Sequence, residues 1–252
     1  MKTRIDKLLV ERGLVASRER AQAMILAGRV LVNGQKLEKS GSSVEADADI
    51  RLLGEDLRYV SRGGLKLEAA LDHWNIKLGG RICVDVGAST GGFTDCMLQH
   101  GAAQVIAIDT GYGQIAAKLR SDPRVKLLEK TNARYLTREQ LQQVGAGEPV
   151  SFIALDVSFI SVTLVLPAVL RSAFFGPRST NREMITLIKP QFEAGREAVG
   201  KGGIVKDELA RQGAIVKVRE AVEKLGGLNL EVIESPISGM EGNREFLLYA
   251  GF

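Results

Sequence analysis

An acidic residue and three glycines stand where an apolar segment gives way to a loop. Residues 82–86 are apolar enough to form a buried strand, and Asp85 lies one residue before its end. Asp85, Gly87 and Gly91 follow the spacing acid-x-Gly-x-x-x-Gly, and Gly92 comes next. Glycines in a turn between a strand and a helix let a ligand approach the bare backbone. The carboxylate favours a ligand with positive charge and hydroxyl groups over one with a pyrophosphate.

The spacing of these glycines argues against one common nucleotide site. A dinucleotide-binding turn follows G-x-G-x-x-G, and Ser89 stands where its second glycine should be. A second acid, Asp109, ends the next apolar segment, where a carboxylate can accept hydrogen bonds from ribose hydroxyls. S-adenosylmethionine combines a ribose with a cationic sulfonium, so it is the ligand that this pattern favours. The alternative is a glycine turn that only closes a strand onto a helix.

A second glycine-rich run, GREAVGKG at 195–202, matches the start of a phosphate-binding loop. Gly202 stands where that loop needs a Ser or Thr for Mg²⁺, and five residues separate the run from the preceding apolar segment. We therefore expect no nucleoside triphosphate site here. The run is either a flexible substrate loop or a plain solvated connector, and the residues alone do not decide between them.

The composition is that of a soluble globular protein of 252 residues, with 45% hydrophobic and 25% charged residues. Two cysteines and two histidines, at separate places in the chain, predict neither a disulfide framework nor a metal site. The N-terminus has no apolar core of a signal peptide, and the longest apolar runs fall short of the roughly 20 residues of a membrane span. We expect a cytoplasmic protein, with a monomer favoured.

Positive charge is concentrated at the N-terminus. Residues 1–40 contain nine basic and four acidic residues, an excess of five, whereas the whole chain carries only +4. Such a patch is typical of a protein that binds a polyanion such as nucleic acid.

The pattern of apolar residues predicts two domains, 1–59 and 60–252. In the first, amphipathic segments predict helices over 4–14 and 17–28, Asn33-Gly34 predicts a hairpin turn, and a short strand follows near 49–53. In the second, a helix begins near Ser61, and strands and helices then alternate. This rhythm predicts an α/β fold of Rossmann-like type with a mostly parallel seven-stranded sheet, whose last strand is antiparallel. The predicted strands are 82–86, 104–109, 125–129, 151–156, 184–189, 229–234 and 244–250, and the predicted helices are 92–100, 113–119, 137–143, 158–171 and 204–225.

Motifs along the whole chain resemble those of the TlyA family, in which an S4 RNA-binding domain precedes an FtsJ/RrmJ-like methyltransferase domain. The resemblance implies a Rossmann-like class I methyltransferase fold and an S-adenosylmethionine-dependent enzyme that methylates a ribose 2′-hydroxyl of ribosomal RNA, typically on a cytidine. The family also carries an old "hemolysin" label. The matching segments, in the family's order, are RIDKLLVERGLVASRERAQAMILAGRVLVNG, YVSRGGLKL, VDVGASTGGFTD, ALDVSFIS, IKPQFEAGRE and NREFLLYA.

The resemblance implies a catalytic set of two lysines and two acids: Lys66, Asp156, Lys189 and Glu245. Glu241 lies four residues before Glu245, but only Glu245 is followed by the apolar strand that the family has there. A lysine acts as a base only where burial and neighbouring positive charge favour its neutral form. We expect Lys189 to be the base or to steer the hydroxyl proton, Asp156 to orient it, and Lys66 and Glu245 to position the ribose. For each lysine the alternative is an ordinary solvated charge.

The remaining site residues are expected around the cofactor and on the basic first domain. Asp109 is expected to bind the ribose and Asn132 the adenine edge, although Asn132 is also typical of a simple turn. The expected cofactor-binding residues are Asp85, Gly87, Ser89, Thr90, Gly91, Gly92, Phe93, Asp109 and Asn132. The expected RNA-binding residues are Arg4, Lys7, Arg18, Arg20, Arg29 and Lys36.

Other functions remain as alternatives. A membrane-active cytolysin accords with the family's label, but the sequence has no apolar span or strongly basic amphipathic tail to support it. A ribosome-binding factor without catalytic activity is possible only if the two lysines and two acids have no catalytic role. S4 domains also occur on pseudouridine synthases, which have no need of the glycine turn.

Overall fold

The chain folds into two units, Met1–Leu57 and Arg58–Phe252, each with its own apolar core. The computed structural model describes residues 2–15, 17–26, 28–37, 39–53, 58–145, 150–174, 182–239 and 242–252. The predicted alternative acid, Glu241, lies outside these residues.

The first unit packs two helices against short strands. Its core is made of aliphatic side chains such as Ile5, Leu9 and Ile25, which are fully buried. Asn33 and Gly34 both have positive φ angles, of 51° and 80°, as the predicted hairpin turn requires. The elements are β1 (Lys2–Arg4), α1 (Ile5–Glu11), α2 (Arg18–Leu26), β2 (Val30–Val32), β3 (Gln35–Lys36), β4 (Ser43–Glu45) and β5 (Ile50–Leu52).

One pairing in this unit was not predicted. β1 pairs with β4 in antiparallel fashion, whereas the sequence predicted helix from Arg4 and an irregular polar stretch around Ser43. Both strands are only three residues long and mostly exposed, so they lack the apolar alternation that reveals a strand. The predicted hairpin pairing of β2 with β3 is confirmed, as is the predicted strand β5, which pairs with β2.

The second unit is a seven-stranded sheet with helices on both faces, and this confirms the predicted fold class. Its strands are β6 (Ile82–Val86), β7 (Gln104–Ile108), β8 (Val125–Leu128), β9 (Phe152–Leu155), β10 (Glu183–Ile188), β11 (Leu228–Glu234) and β12 (Phe246–Gly251). Its helices are α3 (Gly63–His73), α4 (Gly92–Gln99), α5 (Ala117–Arg120), α6 (Arg138–Gln143), α7 (Leu166–Ala173), α8 (Pro190–Glu193) and α9 (Glu208–Lys224).

The strand order places a topological switch at the centre of the sheet. The order is β11-β12-β10-β9-β6-β7-β8, with β12 antiparallel to both β10 and β11 and the other pairs parallel. The chain leaves β6 towards β7 on one side and later returns to β9 on the other. A crevice therefore opens outside the carboxyl ends of β6 and β9, where ligands bind in open α/β sheets.

Alternation along β6 sends successive side chains to opposite faces. Val84 and Val86 join the core beneath α7 and α9, whereas Cys83 joins the core beneath α3 and α4. Asp85 shares the parity of Cys83 and so points to the α4 face. Burial raises the pKa of the Cys83 and Cys96 thiols to about 12, so both remain neutral apolar groups.

Two predicted helices differ from the structure. The helix predicted over 113–119 forms only at Ala117–Arg120, because the glycine-containing stretch before it remains a loop. The helix predicted over 158–171 is a loop, a 3₁₀ turn at Val162–Leu164 and then α7. Phe159 has φ of +65°, which no α-helix accepts, and Pro167 lies in the first turn of α7 as proline prefers.

Candidate active site

Four strands bring the candidate residues to one edge of the sheet. Asp109 and Asp156 immediately follow the parallel strands β7 and β9, and Lys189 follows β10. Because β12 is antiparallel to β10, with Phe246 paired to Ile188, Glu245 lies at this same edge although it precedes its strand. Residues separated by more than 100 positions are thus placed side by side by strand order alone.

The glycine turn is shaped so that side chains are excluded from it. Gly87 has φ of +86°, and a Cβ there would lie 2.5 Å from the Asp156 carbonyl oxygen. Gly91 has φ of +96° and is crowded by Leu119, while Gly92 is crowded by Ser61. Ser89, the residue that excluded a dinucleotide fingerprint, also has a positive φ of 49°. The turn is therefore a backbone cradle next to the Asp156 loop.

The carboxyl group of Asp85 is fully buried behind this turn. The Thr94 hydroxyl donates to its Oδ2 at 2.6 Å, and its Oδ1 has no hydrogen-bond partner among the described residues. Burial, and then the nearby charges of Asp156 and Asp109, raise the pKa of Asp85 to about 7. A cationic ligand would relieve this unfavourable burial of negative charge.

Asp109 and Asn132 both line a cavity of about 350 Å³ that also contacts Gly87 and Ser89. Asp109 accepts backbone N–H groups of Ser89 at 2.8 Å and Gly111 at 2.7 Å, one on each oxygen. Each carboxylate oxygen has a second lone pair, so the group still has acceptor capacity for hydroxyls in the cavity. The Oδ1 of Asn132 accepts the N–H of Arg134 at 3.0 Å and caps a 3₁₀ turn, which is the simpler role considered for it.

The lysines and acids form two separate pairs. Lys189 Nζ lies 2.6 Å from Asp156 Oδ1, and Lys66 Nζ lies 2.5 Å from Glu245 Oε2. The side chains of both lysines are only 11% exposed. Buried ammonium groups need such partners, since an unpaired charge of this kind is costly.

All four residues line a second cavity of about 320 Å³. Thr90, Gly92 and Phe93 also line it, and Phe93 is at the same time buried in the core beneath α4. The two cavities share three residues, Gly87, Ser89 and Asp156. Two adjoining compartments can hold a donor and an acceptor on either side of the glycine turn.

Two neighbours of the site were not predicted from the sequence, Ser158 and Thr94. Ser158 accepts a hydrogen bond from Lys189 Nζ at 2.7 Å, and Thr94 supports Asp85. Ser158 lies two residues after Asp156, and Thr94 lies two residues after Gly92. Both residues belong to motifs described above, and this position in a motif was the only sign in the sequence that they belong to the site. The run at 195–202 lines neither cavity and forms short 3₁₀ turns at Arg196–Ala198 and Lys201–Gly203.

In the first unit, two of the expected RNA-binding residues converge on one carboxylate. Asp6 is fully buried and accepts Arg4 Nε at 3.0 Å and Arg18 Nε at 2.9 Å. The Arg4 guanidinium holds the pKa of Asp6 well below its usual range. Both arginine side chains remain about half exposed. Of the others, Lys7 and Lys36 are exposed, and Arg20 and Arg29 are half-buried.

Within the described residues, no helix is long and apolar enough to cross a membrane. The same residues contain no group of three His, Cys, Asp or Glu side chains placed to hold a metal ion.

Comparison with known proteins identifies both parts of the chain. Residues 59–252 match the model of the FtsJ-like methyltransferases, and residues 3–50 match the S4 domain. The chain is 42% identical to "16S/23S rRNA (cytidine-2'-O)-methyltransferase TlyA" of Mycobacterium tuberculosis over 98% of its own length and 89% of that protein. It is 40% identical to "Hemolysin A" of Brachyspira hyodysenteriae over 98% of each chain.

A solved structure supports both the S4 match and the methyltransferase match. The fold matches "Putative hemolysin from Streptococcus thermophilus" with a TM-score of 0.74 and 41% identity, over 99% of this chain and 88% of that one. The match covers the S4 and methyltransferase segments together. The chain therefore belongs to the TlyA family of FtsJ-like methyltransferases with an S4 domain.

Proposed function

We propose that this protein transfers a methyl group from S-adenosylmethionine to the 2′-hydroxyl of a cytidine ribose in ribosomal RNA. The observation that carries the proposal is the pair of cavities that meet at Gly87, Ser89 and Asp156. One is lined by groups suited to a cationic nucleoside, and the other by two lysine–acid pairs suited to a ribose hydroxyl.

The residues around the glycine turn fit the donor. The bound cofactor supplies an electrophilic methyl group on a sulfonium. The Gly87 backbone, which has no room for a side chain, admits close approach, and Asp85 supplies negative charge behind the turn. Asp109 lines the first cavity, next to Gly87, and offers acceptors for ribose hydroxyls. In this arrangement the adenine of the cofactor lies at the end of the cavity that contains Asn132.

The two lysine–acid pairs have different roles towards the ribose that accepts the methyl group. Lys189 accepts or steers the proton of the 2′-hydroxyl as the new carbon–oxygen bond forms and the carbon–sulfur bond breaks. Asp156 and Ser158 fix the direction of the Lys189 amine, and Lys66 with Glu245 holds the ribose. Proton removal and positioning together supply the rate in such a displacement.

The first domain, residues 1–59, binds the RNA, and residues 60–252 carry out the transfer. The relative from Mycobacterium tuberculosis is named for cytidine 2′-O-methylation of 16S and 23S rRNA, and this name supports the choice of substrate. Arg4, Arg18 and the other basic residues of the first domain contact phosphates, which read the placement and shape of folded RNA more than its sequence. Binding to ribosomal RNA should therefore weaken steeply with salt.

Transfer of tritiated methyl groups from S-adenosylmethionine to isolated ribosomal subunits tests the proposal. We expect incorporation into the RNA of at least one subunit. Lysis of red cells by the pure protein, with no incorporation into any ribosomal substrate, would instead support the membrane-active alternative. Tight binding to subunits without incorporation would support a factor that lacks catalysis.

A further inference from the structure

A loop and a short helical segment at the active-site edge are joined by contacts at several points. One is the loop 156–161, after β9, and the other is the segment 189–193, after β10. Lys189 contacts both Asp156 and Ser158, as described above. Further along, the rings of Phe159 and Phe192 lie 5.4 Å apart between centroids. The last contact along these segments is made by Glu193.

Glu193 is a buried carboxylate whose oxygens are directed at the loop after β9. Its Oε1 accepts the backbone N–H of Val162 at 2.6 Å, and its Oε2 accepts the Ser161 hydroxyl at 2.5 Å. Its side chain is only 2% exposed, and Lys217 of α9 neutralises it with Nζ 3.2 Å from Oε2. Charge-assisted hydrogen bonds in a buried setting are among the stronger polar contacts in proteins.

The chain connects Glu193 to Lys189, and it connects the groups that Glu193 holds to the two partners of Lys189. Glu193 lies four residues after Lys189, and the groups that it holds lie five and six residues after Asp156. Between Asp156 and Ser161 the backbone is irregular, with Phe159 at a φ of +65° and 90% exposed. Val157 and Ile160 pack against the core beneath α7 and α9, and Glu193 adds polar contacts that tie the far end of the loop.

Glu193 itself lines neither cavity, and so it does not touch the reacting groups. Its influence is through the loop. Displacement of a reacting group by about 1 Å can cost a factor of about 100 in rate. We propose that Glu193 is a positioning residue, which ties the loop 156–161 to the Lys189 segment and thereby holds Asp156 and Ser158 against the Lys189 amine.

This inference rests on the proposed methyl transfer, and single-turnover kinetics with ribosomal subunits test it. Glu193→Gln keeps an acceptor for Val162 but loses the charge, and Glu193→Met loses both. We expect the transfer rate to fall about 10-fold in Glu193→Gln and about 100-fold in Glu193→Met, with affinities for cofactor and subunits within threefold of wild type. Glu220→Gln, an exposed glutamate on α9, is the matched control and should leave the rate unchanged.

Two further measurements separate positioning from a loss of folding. Hydrogen exchange should show faster exchange at Val162 and its neighbours in both variants, with the strands of the sheet protected as in wild type. The double variant Ser161→Ala/Glu193→Gln should transfer the methyl group no more slowly than Glu193→Gln alone, because both substitutions disrupt the same Ser161–Glu193 contact.

Folded Glu193→Gln and Glu193→Met proteins that react at the wild-type rate would overturn the inference. So would unchanged exchange at Val162. If the wild-type protein transfers no methyl group to any ribosomal substrate, the proposed function is wrong. The exchange measurement would then still decide whether Glu193 holds the loop.

Discussion

At the scale of single residues, the buried Asp85 carboxylate has the clearest physical consequence. Its pKa of about 7 in the folded protein is higher than the value of about 3.9 expected in an unfolded chain. The folded state therefore binds this proton more tightly. The contribution of this proton to the free energy of unfolding is fully present below pH 4. It falls by about 1.4 kcal/mol per pH unit as the pH rises from 4, and it is lost once the pH has passed through 7.

We predict that Asp85→Asn removes this dependence. The free energy of unfolding of the wild type should decline, relative to that of the variant, between pH 5 and pH 7. Urea unfolding followed by fluorescence of Trp74, the single tryptophan and a residue of the second unit, measures it. Asp72→Asn, an exposed change on α3, is the control. A constant difference between wild type and Asp85→Asn over this range would contradict the shifted pKa.

The same carboxylate should make cofactor binding depend on pH. A bound cation favours the charged form of Asp85, so binding releases a proton and becomes tighter as the pH rises. For the wild type we expect the affinity for S-adenosylmethionine, measured by calorimetry, to rise several-fold from pH 6 to pH 8. Asp85→Asn should bind about 10-fold more weakly, with an affinity that does not change over this range. An equal pH dependence in both proteins would show that another group is responsible.

Much of the site could be predicted at this scale, because acids that end apolar strands of a parallel sheet must lie at its ligand-binding edge. Asp85, Asp109 and Asp156 follow this rule. The expectation that Asp156 orients Lys189 came from the family resemblance and not from the residues alone, because side-chain pairing depends on directions in three dimensions. Ser158 and Glu193 were not predicted for the same reason. Ser158 is 31 positions from its partner Lys189, and Glu193 is 32 positions from its partner Ser161.

At the scale of elements, the antiparallel strand β12 and the helix α3 are joined by the Lys66–Glu245 pair. Glu245→Gln would leave the Lys66 ammonium, 11% exposed, without its anionic partner. We predict a loss of about 3 kcal/mol in the free energy of unfolding of the second unit. The double variant Lys66→Met/Glu245→Gln should recover most of this stability but no methyl transfer, because the catalytic groups are gone.

Urea unfolding and single-turnover transfer, measured on the same preparations, check this prediction. The exposed pair of Lys224 and Glu220 gives a comparison, since Glu220→Gln should cost less than about 1 kcal/mol. Full stability in Glu245→Gln would show that Glu245 is not needed to neutralise Lys66. Activity in the double variant would show that neither residue is catalytic.

In the first unit, the buried Asp6 fixes two arginines that belong to different elements, Arg4 of β1 and Arg18 of α2. We predict that Asp6→Asn weakens binding to ribosomal RNA about 10-fold, because the two guanidinium groups lose their fixed orientation. The slope of log affinity against log salt should fall by about 1 to 2, as expected for lost phosphate contacts.

Filter binding over a range of salt concentrations measures both quantities. Asp47→Asn makes the same change in charge at an exposed position of the same unit and should leave the slope unaltered. An equal effect of the two substitutions would mean that only net charge matters. Because the pKa of Asp6 is depressed in the folded state, the stability that it provides is present above pH 4 and is lost in acid.

Sequence patterns predicted most elements well and failed at two kinds of place. Long apolar strands such as β6 and β9 were located almost to the residue, since burial on both faces leaves a continuous apolar run. The short exposed strands β1 and β4 were missed because they have no such run. Residues 158–161 of the loop were predicted as the start of a helix, because their apolar residues also fit a helical pattern and the positive φ of Phe159 has no sequence signature.

At the scale of the whole molecule, two units divide the proposed work between RNA binding and methyl transfer. The basic excess of residues 1–40 and the glycine turn after β6 belong to different units and different chemistry. Neither part alone distinguishes this protein from other S4 proteins or other methyltransferases. Their combination in one chain is what the comparisons recognise as the TlyA family.

Ribose methylation that depends on Lys189 is tested most directly by nucleoside mass spectrometry of ribosomal RNA treated with S-adenosylmethionine and either wild-type protein or Lys189→Ala. We predict 2′-O-methylcytidine with the wild type. Lys189→Ala should yield at least 100-fold less in a single turnover, although it folds and binds cofactor normally. A methyl group on a base instead of a ribose, or near-normal transfer by Lys189→Ala, would contradict the account.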